Sequence, residues 1–234
     1  MKRSPLLTRR QLIVSAGITT AGASLAAEPQ SAAQPFPQDG AEALGRLKEG
    51  NQRFADGKTR HAHASADWRK HLVSDQQPFA TILGCSDSRV PIELVFDQGF
   101  GDLFVVRVAG NVIATDVVGS LAYAVAHLAT PLVVVMGHQG CGAVTAAVKA
   151  LEEPTKELPS IQALLELIEP GLPKNLPGDT AEERINAAVE ANVRWSIKQL
   201  ARLPQAKAVL ESKRVTLVGA VYELTTGRVR FLSN

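Results

Sequence analysis

Phe79-Ala80-Thr81-Ile82-Leu83-Gly84-Cys85-Ser86-Asp87-Ser88-Arg89 and Leu132-Val133-Val134-Val135-Met136-Gly137-His138-Gln139-Gly140-Cys141-Gly142 decide the fold of this chain. In each, a short mostly apolar run (Phe79 to Leu83, Leu132 to Met136) opens into a turn that contains glycine. Runs of that length, bounded by turn residues, read as buried strands. The two turns hold the only two cysteines of the chain, with His138 three residues before Cys141 and Asp87 two after Cys85. Two strand ends that deliver thiol, imidazole and thiol to one edge of a sheet would build a zinc site with a spare coordination position.

Outward from these runs the pattern alternates. A third apolar run, Leu103–Val108, lies between them, with a short helix after Pro91 on one side and a helix from Thr115 or Asp116 to His127 or Leu128 on the other. A helix from about Ala143 to Leu151 follows the second turn. Strand, helix, strand, helix, strand predicts a single α/β domain, with a central, mostly parallel β-sheet flanked by helices. In such sheets functional groups gather at the carboxyl ends of the strands, where both turns lie. Upstream, Asp39 is placed to cap a helix over Ala41–Ala55, an N-terminal helical arm with Leu44, Leu47 and Phe54 on its apolar side. Downstream, a helix is expected at Ile161–Ile168 and a long one, capped by Thr180, at Ala181–Leu203. The chain should then close with strands Val215–Tyr222 and Arg228–Leu232.

The first 27 residues read as a signal peptide. Lys2, Arg3, Arg9 and Arg10 precede an apolar stretch rich in small residues, and Ser24-Leu25-Ala26 offers a processing site. Thr8-Arg9-Arg10-Gln11-Leu12-Ile13 resembles the twin-arginine export motif, which implies the twin-arginine machinery as a transient partner and a periplasmic or otherwise exported product. Residues 28–40, with Pro29, Pro35 and Pro37, read as a linker, leaving 41–234 as the folded domain that would carry any activity. The first 26 residues carry four basic and no acidic side chains, so without them the formal charge falls from +2 to −2. That balance gives no electrostatic reason to expect nucleic-acid binding.

Two cysteines in an exported chain invite a disulfide reading. Their placement in turns after apolar runs, with His138 beside Cys141, favours a metal. Thiolate, imidazole and thiolate leave zinc one open position, and zinc lowers the pKa of bound water so that hydroxide forms near neutral pH. Asp87 is placed either to orient that hydroxide or to close the site as a fourth ligand. Arg89 is placed to hold the carboxylate by a bidentate contact.

Cys85-Ser86-Asp87-Ser88-Arg89-Val90, the run ending Phe104-Val105-Val106-Arg107, and Gly137-His138-x-x-Cys141-Gly142 together resemble the β-class carbonic anhydrases. The likeness extends over about Ala41 to Leu232, including the closing Val221-Tyr222-Glu223-Leu224-Thr225-Thr226-Gly227. It implies zinc-dependent hydration of carbon dioxide to bicarbonate and a proton, with one Zn2+ on Cys85, His138 and Cys141 and with Asp87 and Arg89 as the catalytic dyad. It also implies a homodimer or homotetramer whose active site lies at a subunit interface and whose N-terminal helix embraces the partner. By spacing, Gln76 corresponds to the family's bicarbonate-binding glutamine, Phe104 and Tyr123 to pocket aromatics, and Gly142 to a backbone that faces substrate. Arg107-Val108-Ala109-Gly110-Asn111 departs from the usual Arg-Asn-x-Ala-Asn, which alters one pocket wall. Ile82 stands where members with an inhibitory bicarbonate site carry tryptophan, so an open site without that regulation is expected. Carbon disulfide or carbonyl sulfide hydrolysis on the same fold, or a structural zinc, are the rival readings. His61 and His63 are the histidines of a polar segment and candidates for proton relay.

Overall fold

The structure is a computed structural model that describes residues 36–153 and 156–233. The expected signal segment, and the 28–40 linker up to residue 35, lie outside the described residues. Five strands form one sheet in the order β2-β1-β3-β4-β5. They are β1 (Ala80–Gly84), β2 (Leu103–Arg107), β3 (Leu132–His138), β4 (Thr216–Tyr222) and β5 (Val229–Phe231). The first four run parallel and β5 pairs antiparallel to β4.

Strands β1 and β3 are buried at every residue. Central parallel strands are covered on both faces, which is why their sequences are almost unbroken apolar runs. Alternate residues serve two cores. Leu83, Val133 and Val135 face one core, built with α4 (Thr115–His127), α5 (Gly142–Glu152), α6 (Pro159–Ile168) and α7 (Ala181–Arg202). Ile82, Leu132, Val134 and Met136 face the other, built with α1 (Gly40–Ala55) and α3 (Ile92–Val95). Each Leu or Ile side chain buried there contributes about 1.5–3 kcal/mol. The short helices α2 (Ala66–His71) and α8 (Pro204–Glu211) bury no residue.

Both expected caps are present. Asp39 accepts from the amides of Ala41 and Glu42, and Thr180 closes a capping box with Glu183 at the start of α7. The N-terminal helix packs on its own domain. Ala43, Leu47, Gly50 and Asn51 form its buried stripe, and Asn51 donates to the carbonyls of Val95 and Gly227 while accepting from the amide of Val229. No helix among the described residues is long and apolar enough to cross a membrane.

One boundary differs from the sequence reading in a way that matters. Gly137 looks like the end of a strand, yet β3 continues through it to His138, because β4 stays paired alongside as far as Tyr222. At Gly137 a Cβ would meet Val193 at 2.8 Å, so the missing side chain is what lets α7 lie close against the strand.

The connections place the site. After β1 the chain passes to α3 on one face of the sheet, and after β3 it passes to α5 on the other. Adjacent parallel strands whose following helices leave on opposite faces open a crevice at their carboxyl ends. Cys85 leaves β1 at that crevice and His138 ends β3 beside it.

Candidate metal centre

Cys85, His138 and Cys141 converge, with one ligand atom from each within 4.8 Å of the others. All three side chains are buried, and the two sulfurs lie 3.9 Å apart. His138 Nδ1 faces the carbonyl oxygen of Gln139 at 3.0 Å, which fixes the ring and leaves Nε2 for the cluster. That Nε2 is buried without a hydrogen-bond partner. A buried imidazole nitrogen aimed at two thiols, with nothing to bond to, fits a tetrahedral metal such as zinc.

Local sequence explains how each ligand arrives. Gly140, at φ +63°, turns the chain sharply after β3, and Cys141 then becomes the N-cap of α5. The Cys141 sulfur closes no capping hydrogen bond, but the first amides of that helix, Ala143 and Val144, face it and favour its ionised form. Without a metal the two thiols share their protons unequally. A hydrogen bond from the Cys141 thiol holds the Cys85 thiol well below its ordinary range. Burial opposes that shift, while His138 and the Gly110 amide assist it. The Cys85 sulfur and burial push Cys141 the other way.

Asp87 is turned towards Arg89. Its Oδ1 accepts from Arg89 Nε and from the Arg89 amide, both at 2.9 Å, and its Oδ2 accepts from Nη2 at 2.7 Å. The Arg89 side-chain bond, above all, holds the carboxyl well below the usual carboxylate range. Oδ2 still lies 3.7 Å from His138 Nε2, at the edge of the cluster. The arginine thus keeps the acid beside the centre and out of the three-residue set. Arg89 also reaches the Gly140 carbonyl at 3.3 Å, which links the two turns.

Three supports were not read from the sequence. Arg107, at the end of β2, donates to the carbonyls of Cys85 at 3.0 Å and Asp87 at 2.7 Å, strapping the first turn in place. The Gly110 amide donates to the Cys85 sulfur at 3.3 Å. Asn192 and Ser196 of α7 hold the Gly110–Asn111 turn by its carbonyls. The available signal was two polar residues lying among the buried positions Ala188, Val189, Val193 and Leu200 of a helix.

The other predicted positions are placed as follows. Gly142 begins α5 directly after Cys141. Phe104 on β2 and Tyr123 on α4 pack ring against ring at 6.2 Å, Phe104 half-buried and Tyr123 exposed. Gln76 is exposed in the loop before β1, and its side chain makes no hydrogen bond among the described residues. His63 bonds Asp102 through Nδ1 at 2.8 Å and stacks on Trp68, while His61 faces Thr59. Asp102 directly precedes β2, whereas the cluster lies beyond the far ends of the strands. Five residues at 3.3 Å each put roughly 15 Å between these histidines and the thiols of the same chain.

A mostly parallel sheet that gathers thiol, imidazole and thiol at its switch point, with a carboxylate held aside by arginine, is an α/β fold with a side-chain cluster that could hold a metal. The chain belongs to the carbonic anhydrase family, in its β class: the family model described as carbonic anhydrase matches residues 80–229. It is 40% identical over 183 residues to carbonic anhydrase 2 of Mycobacterium tuberculosis H37Rv, covering 78% of this chain and 87% of the relative. It is 35% identical over 168 residues to a carbonic anhydrase of Pseudomonas aeruginosa, covering 68% and 76%. Among solved structures, the β-carbonic anhydrase CcaA superposes with a TM-score of 0.65 at 29% identity, over 81% of this chain and 95% of that one. A Coccomyxa β-carbonic anhydrase in complex with acetazolamide gives 0.64 at 26% identity, over 81% and 86%.

Proposed function

We propose that this carbonic anhydrase interconverts carbon dioxide and bicarbonate at a zinc ion held by Cys85, His138 and Cys141. The observation that carries the ligand set is the buried, unpartnered His138 Nε2 facing two thiols that lie 3.9 Å apart. When bound there, zinc supplies a Lewis-acidic position at which water ionises near neutral pH. Asp87, kept ionised by Arg89, is an acceptor only, so it orients the attacking water by a hydrogen bond and is too weak a base to keep its proton. The proton therefore passes on to solvent or buffer. Arg107 holds the Cys85 and Asp87 carbonyls, so ligand and orienting carboxylate move as one unit. Gln76, Phe104, Tyr123 and the Gly142 backbone are assigned to the substrate pocket.

An assembly of two or four copies completes that pocket. Two observations support it. Two cavities among the described residues, one of about 280 Å³ lined by Phe54, His61 and Asp97 and one lined by Lys48, Asn51 and Arg228, include none of the cluster residues. Tyr123, Val73 and Phe100 are exposed apolar side chains, and β2 is an unpaired sheet edge. Export through the twin-arginine route to the periplasm is supported by Arg9-Arg10 ahead of the apolar stretch. It is checked by N-terminal sequencing of protein recovered from that compartment.

The deciding experiment is stopped-flow carbon dioxide hydration by protein of measured metal content. Rapid hydration with one zinc per chain, lost in Cys85→Ser together with the metal and lost in Asp87→Ala with the metal retained, is the expected result. Full hydration in Cys85→Ser would overturn the ligand assignment.

A further inference from the structure

The thiol of Cys85 is tied, through one glycine, to a helix distant in sequence. Gly110 donates its N–H to the Cys85 sulfur at 3.3 Å, and its carbonyl accepts from Asn192 Nδ2 at 2.8 Å. Asn192 is 1% exposed, on the α7 face that packs against the site. Gly110 stands at φ +67°, in the left-handed region open to glycine, and Asn111 follows at φ +44°, which a non-glycine residue keeps only where its surroundings hold it. One turn further along α7, Ser196 Oγ donates to the Asn111 carbonyl at 3.2 Å, so one helix face grips two successive carbonyls.

We propose that Asn192 is a positioning residue for the metal. By fixing Gly110 it keeps an N–H on the Cys85 sulfur, and that hydrogen bond sets the affinity and the electronic character of the centre. An N–H bond to a ligating thiolate withdraws charge from the sulfur and fixes the direction of its lone pairs, the two properties through which outer residues tune a metal. The Asn192 amide has one productive orientation. Its Oδ1 is buried without a partner, and reversing the amide would set that oxygen against the Gly110 carbonyl oxygen. Among the described residues, the carbonyl of Gly110 is the group that holds this side chain by a hydrogen bond. Aligning the donor with the sulfur requires Gly110 to keep its turn, whereas the strap from Arg107 holds the Cys85 carbonyl and not the Gly110 turn.

This inference rests on the zinc assignment above, and its test separates the two. In the full chain, Asn192→Leu keeps the size of the side chain and removes the donor. The zinc dissociation constant, read by chelator competition, is expected to rise about tenfold or more. The thiolate-to-metal charge-transfer band of the cobalt-substituted protein is expected to shift. Thr130→Val breaks a buried hydroxyl pair with Thr81 (2.8 Å) at the other end of the sheet, and is expected to leave both readouts at their wild-type values. A dissociation constant within about threefold of wild type with an unmoved band overturns the proposal, since outer-residue effects are larger than that. Equal changes in Thr130→Val also overturn it, since general loosening would then explain them. Should Asn192→Leu fail to fold, the wild-type protein loaded with cadmium-113 gives the answer. The Gly110 amide proton is expected to couple to the metal through the sulfur, and absence of coupling refutes the arrangement. If Cys85→Ser binds zinc as tightly as wild type, the metal assignment itself fails, and Asn192 is not at issue.

Discussion

Replacing Gly110 with alanine should separate the two demands made on this residue, conformation and space. At φ +67° an alanine pays the left-handed penalty, about 1–2 kcal/mol. The added Cβ would stand 2.9 Å from Ile168 Cδ1, the far end of a flexible side chain, and 3.2 Å from Ala143 Cβ, which sits beside the start of α5 and can yield only with its helix. Mild overpacking of this kind costs about 1 kcal/mol. The sum, about 2–3 kcal/mol, lowers the midpoint of thermal unfolding by about 5–10 °C for a domain of this size. Because the relief must come from the Gly110 turn or from α5, the amide on Cys85 or the Cys141 turn is displaced as well. Zinc affinity should therefore fall about tenfold. Calorimetry of the apo and loaded forms and chelator competition read the two effects separately. A variant that melts within 1 °C or so of wild type would show that the turn is not held as described. One that melts early yet binds zinc as wild type would show that turn and sulfur are uncoupled.

Further outcomes are expected. Asn51→Ala leaves the carbonyls of Val95 and Gly227 and the amide of Val229 without their partner. It should destabilise the domain by about 3–5 kcal/mol in urea titration while the bound metal content stays the same. The folded pKa of Asp87 is depressed, so its pairing with Arg89 contributes stability that is fully present above the unfolded carboxylate value of about 3.9 and is lost as pH falls through the lower folded value. The stability gap between wild type and Arg89→Gln should accordingly hold at pH 5 to 7 and shrink below about pH 4, as followed by urea midpoints. Chelation leaves the two sulfurs 3.9 Å apart with no metal between them, and hydrogen peroxide should then join Cys85 to Cys141, the peroxide being reduced to two waters as both thiols lose hydrogen. Mass spectrometry should find that disulfide in the apoprotein and not in the zinc-loaded form.

The mostly parallel sheet and the three converging side chains were legible because each depends on local pattern. Leu132 to Met136 cannot be soluble on either face, and a histidine three residues before a cysteine after such a run is a short-range signal. Asp39 and Thr180 announced their helices by the same kind of proximity. What stayed hidden depends on contacts between distant segments. Nothing near Gly137 tells that β4 will carry the ladder on to His138. Nothing near Asn192 names a carbonyl 82 residues away, although a polar side chain inside an apolar stripe marks a group that needs a buried partner. His61 and His63 stand out in the sequence by composition, but His63 is held by Asp102 at the amino end of β2, and the His61 amide by the Asp97 carboxylate.

The segment from Cys85 runs on to Val90 and Ile92 in the core beneath α1, whereas the segment from His138 and Cys141 runs on to Val144 and Ala147 in the core beneath α7. A metal bound to all three is therefore a thermodynamic rivet through the sheet, joining two hydrophobic cores that otherwise meet only across its strands. A ligand that binds the folded arrangement and not the unfolded chain raises the free energy of unfolding by an amount set by its concentration relative to its dissociation constant, so loading the metal would stabilise both cores together. The unfolding free energy of the loaded form would thus exceed that of the apo form by the metal's own contribution, readable as a rise in the unfolding midpoint with added zinc.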